Sequence, residues 1–239
     1  MSQKTLSVHP DFHPGILHPL YLIRSGLYAA FRHLIPQLKG KLMDFGCGLK
    51  PYEAMFTVDE YVGVDYKGDG PTYSHHKVDV FYDGHTLPFE DDHFDSIFSS
   101  EVFEHVFNLP EIMKELHRVL KPGGLILVSC PFAFGEHEAP ADYARYTSFA
   151  MKSLFTSHGF EVVHYEKTGS FIEAIVQQRV AYWDRHVISR IAGIPVVRSI
   201  ARVIIFGGNN LWAALWKALL PKSQELYLNN VMLAKKLPS

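Results

Sequence analysis

Four groups of residues have the types and spacing that chemistry asks for. The first is Asp44-Phe45-Gly46-Cys47-Gly48, an acid and two glycines directly after a short apolar run. Glycine lets backbone approach a ligand closely, and an acid at a strand end can orient the loop or a ligand amine. The second is Asp65, roughly 20 residues further on, where an acid in a strand–loop–helix unit accepts hydrogen bonds from ribose hydroxyls. The third is Glu101, Glu104 and His105, spaced i, i+3, i+4, which a helix would put on one face. The fourth is His137, in a polar run that also holds Glu138, Asp142 and Arg145. An unperturbed imidazole titrates near neutrality and can take up a proton. Together these predict a nucleoside pocket with a proton acceptor beside it.

The elements that must position these groups read as alternating strands and helices. Residues 16–38 have helical spacing and stop near Pro36 and Gly40, which predicts a helix covering a sheet. Strands are expected at 41–45, 61–65, 73–80, 94–99 and 124–130. Residues 109–120 read as an amphipathic helix closed by Lys121-Pro122-Gly123-Gly124. Residues 147–158 read as a second helix, with Thr147 as N-cap and Gly159 as stop. A sixth strand is expected at 160–165 and a last one at 226–235. Such alternation implies an α/β fold with a doubly wound parallel sheet, which binds ligands outside the carboxyl ends of its strands. His137, directly after the fifth strand, then borders that end. The expected organisation is a single domain over 1–239: a helical cover at 1–40, a core at 41–169, a helical insertion at 171–221 and the last strand.

A Gly-x-Gly turn alone suits several nucleotides. A dinucleotide fingerprint would continue to a third glycine, and Leu49-Lys50-Pro51 follows instead, which argues against NAD. Three further stretches add to the pattern: Asp83-Gly84-His85-Thr86-Leu87-Pro88-Phe89, then Ser99-Ser100-Glu101-Val102-Phe103-Glu104-His105-Val106, then the helix from Glu115 into Gly124. On these residues, over 41–169, the chain resembles the class I S-adenosylmethionine-dependent methyltransferases, particularly the type 11 group. The resemblance implies a Rossmann-like, seven-stranded, mostly parallel sheet whose last strand is antiparallel, and an enzyme with S-adenosylmethionine as cofactor. It also implies a cofactor site made of Asp44, Gly46, Gly48, Asp65, Asp83, Gly84, Ser100 and Glu101. Asp83, four residues before Leu87, is the expected partner of the adenine amine, with the Gly84 or His85 backbone near the ring; Asp79 competes for that role.

The cofactor's sulfonium is already an excellent leaving group, so the protein mainly aligns acceptor, methyl carbon and sulfur. A hydroxyl acceptor also needs a base, for which His137 and His105 are the candidates. The Glu101-x-x-Glu104-His105 group is similar to one associated with a divalent metal in ubiquinone-type O-methyltransferases. Local hydrogen bonding is the other reading, and no metal is expected. The run from His137 to Thr147 resembles methyltransferases of surface-polysaccharide biosynthesis, against a packing role with Asp142 and Arg145 paired. Cys47 and Cys130 read as small apolar fillers. His9, His13, His18, His75 and His76 read as solvated or packing residues.

A net charge of −2 argues against a nucleic-acid partner. Two distant cysteines argue against a disulfide framework, the N-terminus does not read as a leader, and a cytoplasmic protein is expected. Charge is nevertheless uneven. Residues 185–224 hold six basic side chains and no acid, leaving 17 basic against 25 acidic elsewhere. Around 187–220 these accompany Trp212, Trp216 and many aliphatics, which suits either a cap over the acceptor pocket or a peripheral membrane contact. The expected acceptor is a small molecule, a glycan or a lipid-linked intermediate. The competing function is a non-catalytic cofactor-binding scaffold.

Overall fold

In the computed structural model, which describes residue 12 and residues 14–67 and 77–238, the short apolar runs form the centre of one sheet. Strands β1 (Lys41–Phe45) and β4 (Phe94–Ser100) are buried almost throughout. Near-continuous burial is what a parallel strand covered on both faces requires. With β2 (Glu60–Tyr66), β3 (Val80–Tyr82), β5 (Leu120–Pro131), β6 (Phe160–Thr168) and β7 (Asn229–Lys236), they form a seven-stranded sheet of order β3-β2-β1-β4-β5-β7-β6. The first five strands pair in parallel. The last strand runs antiparallel to both its neighbours. Strand order reverses between β1 and β4, and a crevice opens there at the carboxyl ends.

Helices cover both faces. Helix α1 (Tyr21–Leu34) buries Leu22, Ile23, Leu27, Ala30, Phe31 and Leu34. With α4 (Phe171–His186) and α6 (Gly208–Leu219) it builds one core, around Phe31, Val180, Phe206 and Ala213. Helix α2 (Leu109–Val119) and α3 (Ser148–Ser157) build the other, around Ile112, Met113, Leu116 and Phe155. The ends carry their local signals. The Thr147 hydroxyl accepts from Ala150 N at 3.2 Å, and Gly159 after α3 has φ +80°. Ser170 and Glu173 form a reciprocal capping box on α4. Between α4 and α6 lie α5 (Pro195–Arg202) and a π-helical turn, Val203–Gly207.

Several boundaries differ from the sequence expectation. The third strand is only Val80–Tyr82; Tyr73, His75 and His76 lie outside the described residues, as do His9 and His13. Lys121, Pro122, Gly123 and Gly124 belong to β5 rather than to a free turn. Leu120 already pairs with Phe94, and the register shifts before Leu125 meets Ser96. That irregularity is how a strand accommodates a proline and two glycines. The last strand begins at Asn229 rather than Leu226.

Candidate active site

The loop after β1 is held by backbone that only glycine can supply. Gly46 has φ +74° and donates its N–H to the Val64 carbonyl at 2.8 Å. A Cβ there would lie 2.3 Å from a Val102 methyl, so any side chain forces the loop away from β4. Gly48, φ +49°, has open space on its side-chain face and donates its N–H to Asp65 Oδ2 at 3.0 Å. Asp65 Oδ1 accepts from Tyr66 N at 2.8 Å. The acid at the end of β2 therefore sets the glycine loop as well as facing the cavity.

Asp79 and Asp83 part company here. Asp79 is engaged by Lys50 Nζ at 2.5 Å and Gly63 N at 2.7 Å, and it does not line the cavity. Asp83 does line it, and its Oδ1 accepts from His85 N at 2.9 Å and Thr86 N at 2.7 Å. Gly84, φ +89°, packs against the Tyr66 ring.

The cavity is about 900 Å³, within the range of pockets that hold cofactor-sized molecules. Asp44, Gly46, Gly48, Asp65, Asp83, Gly84, Ser100, Glu101, His105 and His137 all line it. Its floor holds two acids, Asp44 buried and Glu101 half-buried. Asp44 accepts from the Tyr61 hydroxyl, and burial pushes its carboxyl from 3.8 up to about 7. Glu101 accepts from Ser129 Oγ at 2.8 Å and Asn229 Nδ2 at 2.6 Å, and burial raises it from 4.5 to about 7. Both acids therefore sit near half-ionisation at neutral pH. A cation entering the cavity favours their charged forms.

The expected helix face of Glu101, Glu104 and His105 does not form. Glu101 follows β4 in the left-handed region at φ +58°, and Phe103–His105 is a single 3-10 turn. The two glutamates therefore point to different places. Glu101 meets β5 and β7 under the cavity, whereas Glu104 turns inward to His105 and to His137 of the loop after β5. Their Nε2 atoms lie 3.6 and 3.8 Å from Glu104 Oε1, and the two rings stand edge to face at 4.8 Å. His105 Nδ1 meets the Ala141 carbonyl at 2.6 Å. His137 Nδ1 lies 3.3 Å from Asp142 Oδ2 and 3.3 Å from an Arg145 nitrogen. Asp142 and Arg145 pair through two contacts, 2.6 and 2.7 Å, which holds the Asp142 carboxyl well below the usual range. Burial, and then His105, lowers the His137 pKa. Burial, and then Glu101, raises that of Glu104 well above normal.

The remaining wall comes from residues the motifs do not mark. Leu20, Ile23, Arg24 and Leu27 arrive from the α1 region, and Phe134 and Tyr143 from the loop after β5. Asn229 is also new. An amide pair, Asn229-Asn230, in an otherwise apolar strand is the signal that could have found it, because buried amides need partners.

Comparison with known proteins agrees with this picture. The methyltransferase-domain family model matches residues 43–128. A probable S-adenosylmethionine-dependent methyltransferase of Mycolicibacterium smegmatis is 27% identical over 213 residues, spanning 76% of this chain and 81% of the relative. Among solved structures, the [4+2]-cyclase SpnF superposes with a TM-score of 0.55 at 16% identity, over 92% of this chain and 83% of that one. Phosphoethanolamine N-methyltransferase 2 of Haemonchus contortus, in complex with S-adenosyl-L-methionine, gives 0.54 at 14% identity, over 100% of this chain and 62% of that one. At such identities the structural likeness speaks for the fold alone.

Proposed function

We propose that this chain, which matches the methyltransferase-domain model over residues 43–128 and is similar to a probable S-adenosylmethionine-dependent methyltransferase, is a class I enzyme of that kind whose cavity passes a methyl group to an oxygen or nitrogen of a small-molecule, sugar or lipid-linked acceptor. The observation that carries this reading is that the eight expected donor-site residues and both histidines open onto one cavity. Gly46 and Gly48 let backbone approach the nucleoside, Asp65 accepts from the ribose hydroxyls, and Asp83 with Gly84 meets the adenine. Ser100 and Glu101 border the methionine end, with Asp44 behind the loop. Two acids near half-ionisation, on the cavity floor, suit a cofactor that carries a sulfonium and an amine. When bound, the cofactor supplies an activated methyl whose leaving group is a neutral thioether. The protein aligns the acceptor, and His137 or His105 takes the proton that a hydroxyl acceptor loses.

The test is calorimetry with S-adenosylmethionine and with NAD, followed by transfer of labelled methyl to cell extracts. Binding of the former alone, with label incorporated, is expected. No binding of S-adenosylmethionine sinks the reading; binding without transfer to any extract leaves the scaffold alternative in its place.

One surface favours an amphiphilic acceptor. Helix α5 has no buried residue. Val196, Val197, Ile200, Val203 and Ile204 form one exposed apolar face, with Val196 70% and Ile204 67% accessible. Leu211, Leu215 and Leu219 repeat the pattern on α6. Arg198 and Arg202 accompany them, within the stretch that has no acid. Among the described residues no helix is long and apolar enough to cross a membrane. We therefore propose that α5 and α6 lie in an anionic membrane interface. Flotation with anionic vesicles is expected to carry the protein, less so at high salt or after Arg198→Glu with Arg202→Glu. Absence of flotation at low salt removes the proposal.

A further inference from the structure

We infer that His33, His164 and Glu166 form a binding site for a divalent cation of the zinc or cobalt type, clipping the last turn of α1 to the edge strand β6. None of the three lines the cavity, so the site is separate from the proposed methyl transfer. Strand β6 ends the sheet, and its early residues Phe160 and Val162 face the core under α2 and α3. Strict alternation would send His164 and Glu166 the same way. A register shift intervenes. Val162 pairs with Ala234 and His164 with the adjoining Leu233, which leaves Val163 as an extra residue. A bulge of this kind re-aims the side chains beyond it. Tyr165 therefore joins the core under α2 and α3, while His164 and Glu166 turn to the α1 face, where His33 stands in the last turn.

The three side chains meet there without satisfying one another. His33 Nδ1 lies 3.1 Å from the Ala29 carbonyl. A carbonyl can only accept, so in the neutral imidazole that nitrogen carries the proton and Nε2 presents a lone pair. Glu166 Oε1 lies 3.4 Å from this Nε2, acceptor facing acceptor. His164 Nε2 lies 3.7 Å from Glu166 Oε2. His164 Nε2 and Glu166 Oε1 are both shut off from solvent and have no hydrogen-bond partner among the described residues. Polar atoms buried in that state are unfavourable, and one cation between them engages all three groups. The rings stand edge to face at 5.9 Å, and one ligand atom from each residue lies within 4.8 Å of the others. A filled tetrahedral site with bonds of about 2.0–2.1 Å has edges of about 3.4 Å. The two Glu166 edges are already close to that, and the His33 side chain, 53% exposed, has room to close the third. The Ala29 carbonyl supplies the backing that a ligating imidazole generally has on its other nitrogen. Two imidazoles and one carboxylate suit Zn²⁺ or Co²⁺ better than Ca²⁺ or Mg²⁺. An ion here braces α1, the helix that carries Ile23 and Leu27 to the cavity wall.

The experiment is titration of Co²⁺ into the chelator-treated full chain, read by visible absorption and by thermal melting. It is run at pH 8, where free imidazole is neutral and protons do not compete for its nitrogens. One Co²⁺ per chain with a four- or five-coordinate spectrum, displaced by Zn²⁺, is expected. At saturating ion the melting temperature should rise by a few degrees. Affinity should fall at least about tenfold in His33→Ala, in His164→Ala and in Glu166→Gln, since loss even of a ligand's supporting partner has that effect. Circular dichroism checks that each variant folds, and His33, on the surface, is the one whose removal disturbs packing least. No such spectrum, or a spectrum and melting shift that persist in both His33→Ala and His164→Ala, overturns the site.

Discussion

Replacing Asp65 with asparagine is expected to weaken S-adenosylmethionine binding by about a hundredfold while the protein stays folded. The carboxylate accepts from Gly48 N and Tyr66 N and faces the cavity, so it can hold the loop and the ribose together. Hydrogen bonds to a charged acceptor are worth about 1.5–3 kcal/mol each, and about 2.7 kcal/mol is a hundredfold in affinity. Asparagine keeps the shape and one acceptor oxygen, which can stay on Gly48 N while the Tyr66 N–H loses its partner, so the loop contact survives. Calorimetry gives the affinity, and thermal melting checks the fold. Asp79→Asn is the control. It breaks the Lys50 and Gly63 contacts outside the cavity, so it should cost more in stability than in affinity. Equal affinities for the wild type and Asp65→Asn would show that the ribose does not sit on β2.

Asp44→Asn and Glu101→Gln are expected to move stability and affinity in opposite directions. Both carboxyls are raised by burial, from 3.8 and 4.5 to about 7. Between about pH 4 and 7 the native state then binds more protons than the unfolded chain, and stability must fall as pH rises through that window. Above it the loss is complete, on the order of a few kcal/mol. An amide cannot ionise, so either variant should melt several degrees above the wild type at pH 8 without cofactor, and the gap should close towards pH 4. The same variants should bind S-adenosylmethionine more weakly, because they no longer offer a negative charge to its cationic end. A variant less stable than the wild type at pH 8 would mean that these carboxyls are not raised above their ordinary values in the ligand-free protein.

How much of this was legible in the sequence depended on how local each signal was. Gly46, Gly48, Asp65 and the Asp83-to-Phe89 turn were readable because each is fixed by its own strand end, at a spacing set by one strand–loop–helix unit. Spacing alone leaves Asp83 and Asp79 in competition; what favours Asp83 is tertiary, since Lys50 and Gly63 engage Asp79. Glu104 was misread because i, i+3, i+4 spacing says nothing of a left-handed residue at Glu101, which sends its neighbours elsewhere. Its convergence with His137, 33 positions away in the sequence, is tertiary. Helix α1 was expected to cover the sheet, and it does, but helical periodicity could not show that Ile23 and Leu27 also border a ligand space. The long form of β5 was hidden by Pro122 and its glycines, which end most strands and here are absorbed by a register shift.

The two sides of the cavity differ in what a mutation can do to them. The donor wall is main chain and buried charge: a glycine with no room for a methyl, and acids tied to β2, β5 and β7. Changes there are expected to cost affinity for the methyl source, whatever they do to stability. The opposite wall is side chains from the α1 region and a loop, where the half-buried Leu20 and Phe134 and the exposed Tyr143 can be exchanged without moving a strand. Such a molecule can drift from one substrate to another over generations while its methyl source stays constant, and the drift should be written in residues 20–27 and 134–143.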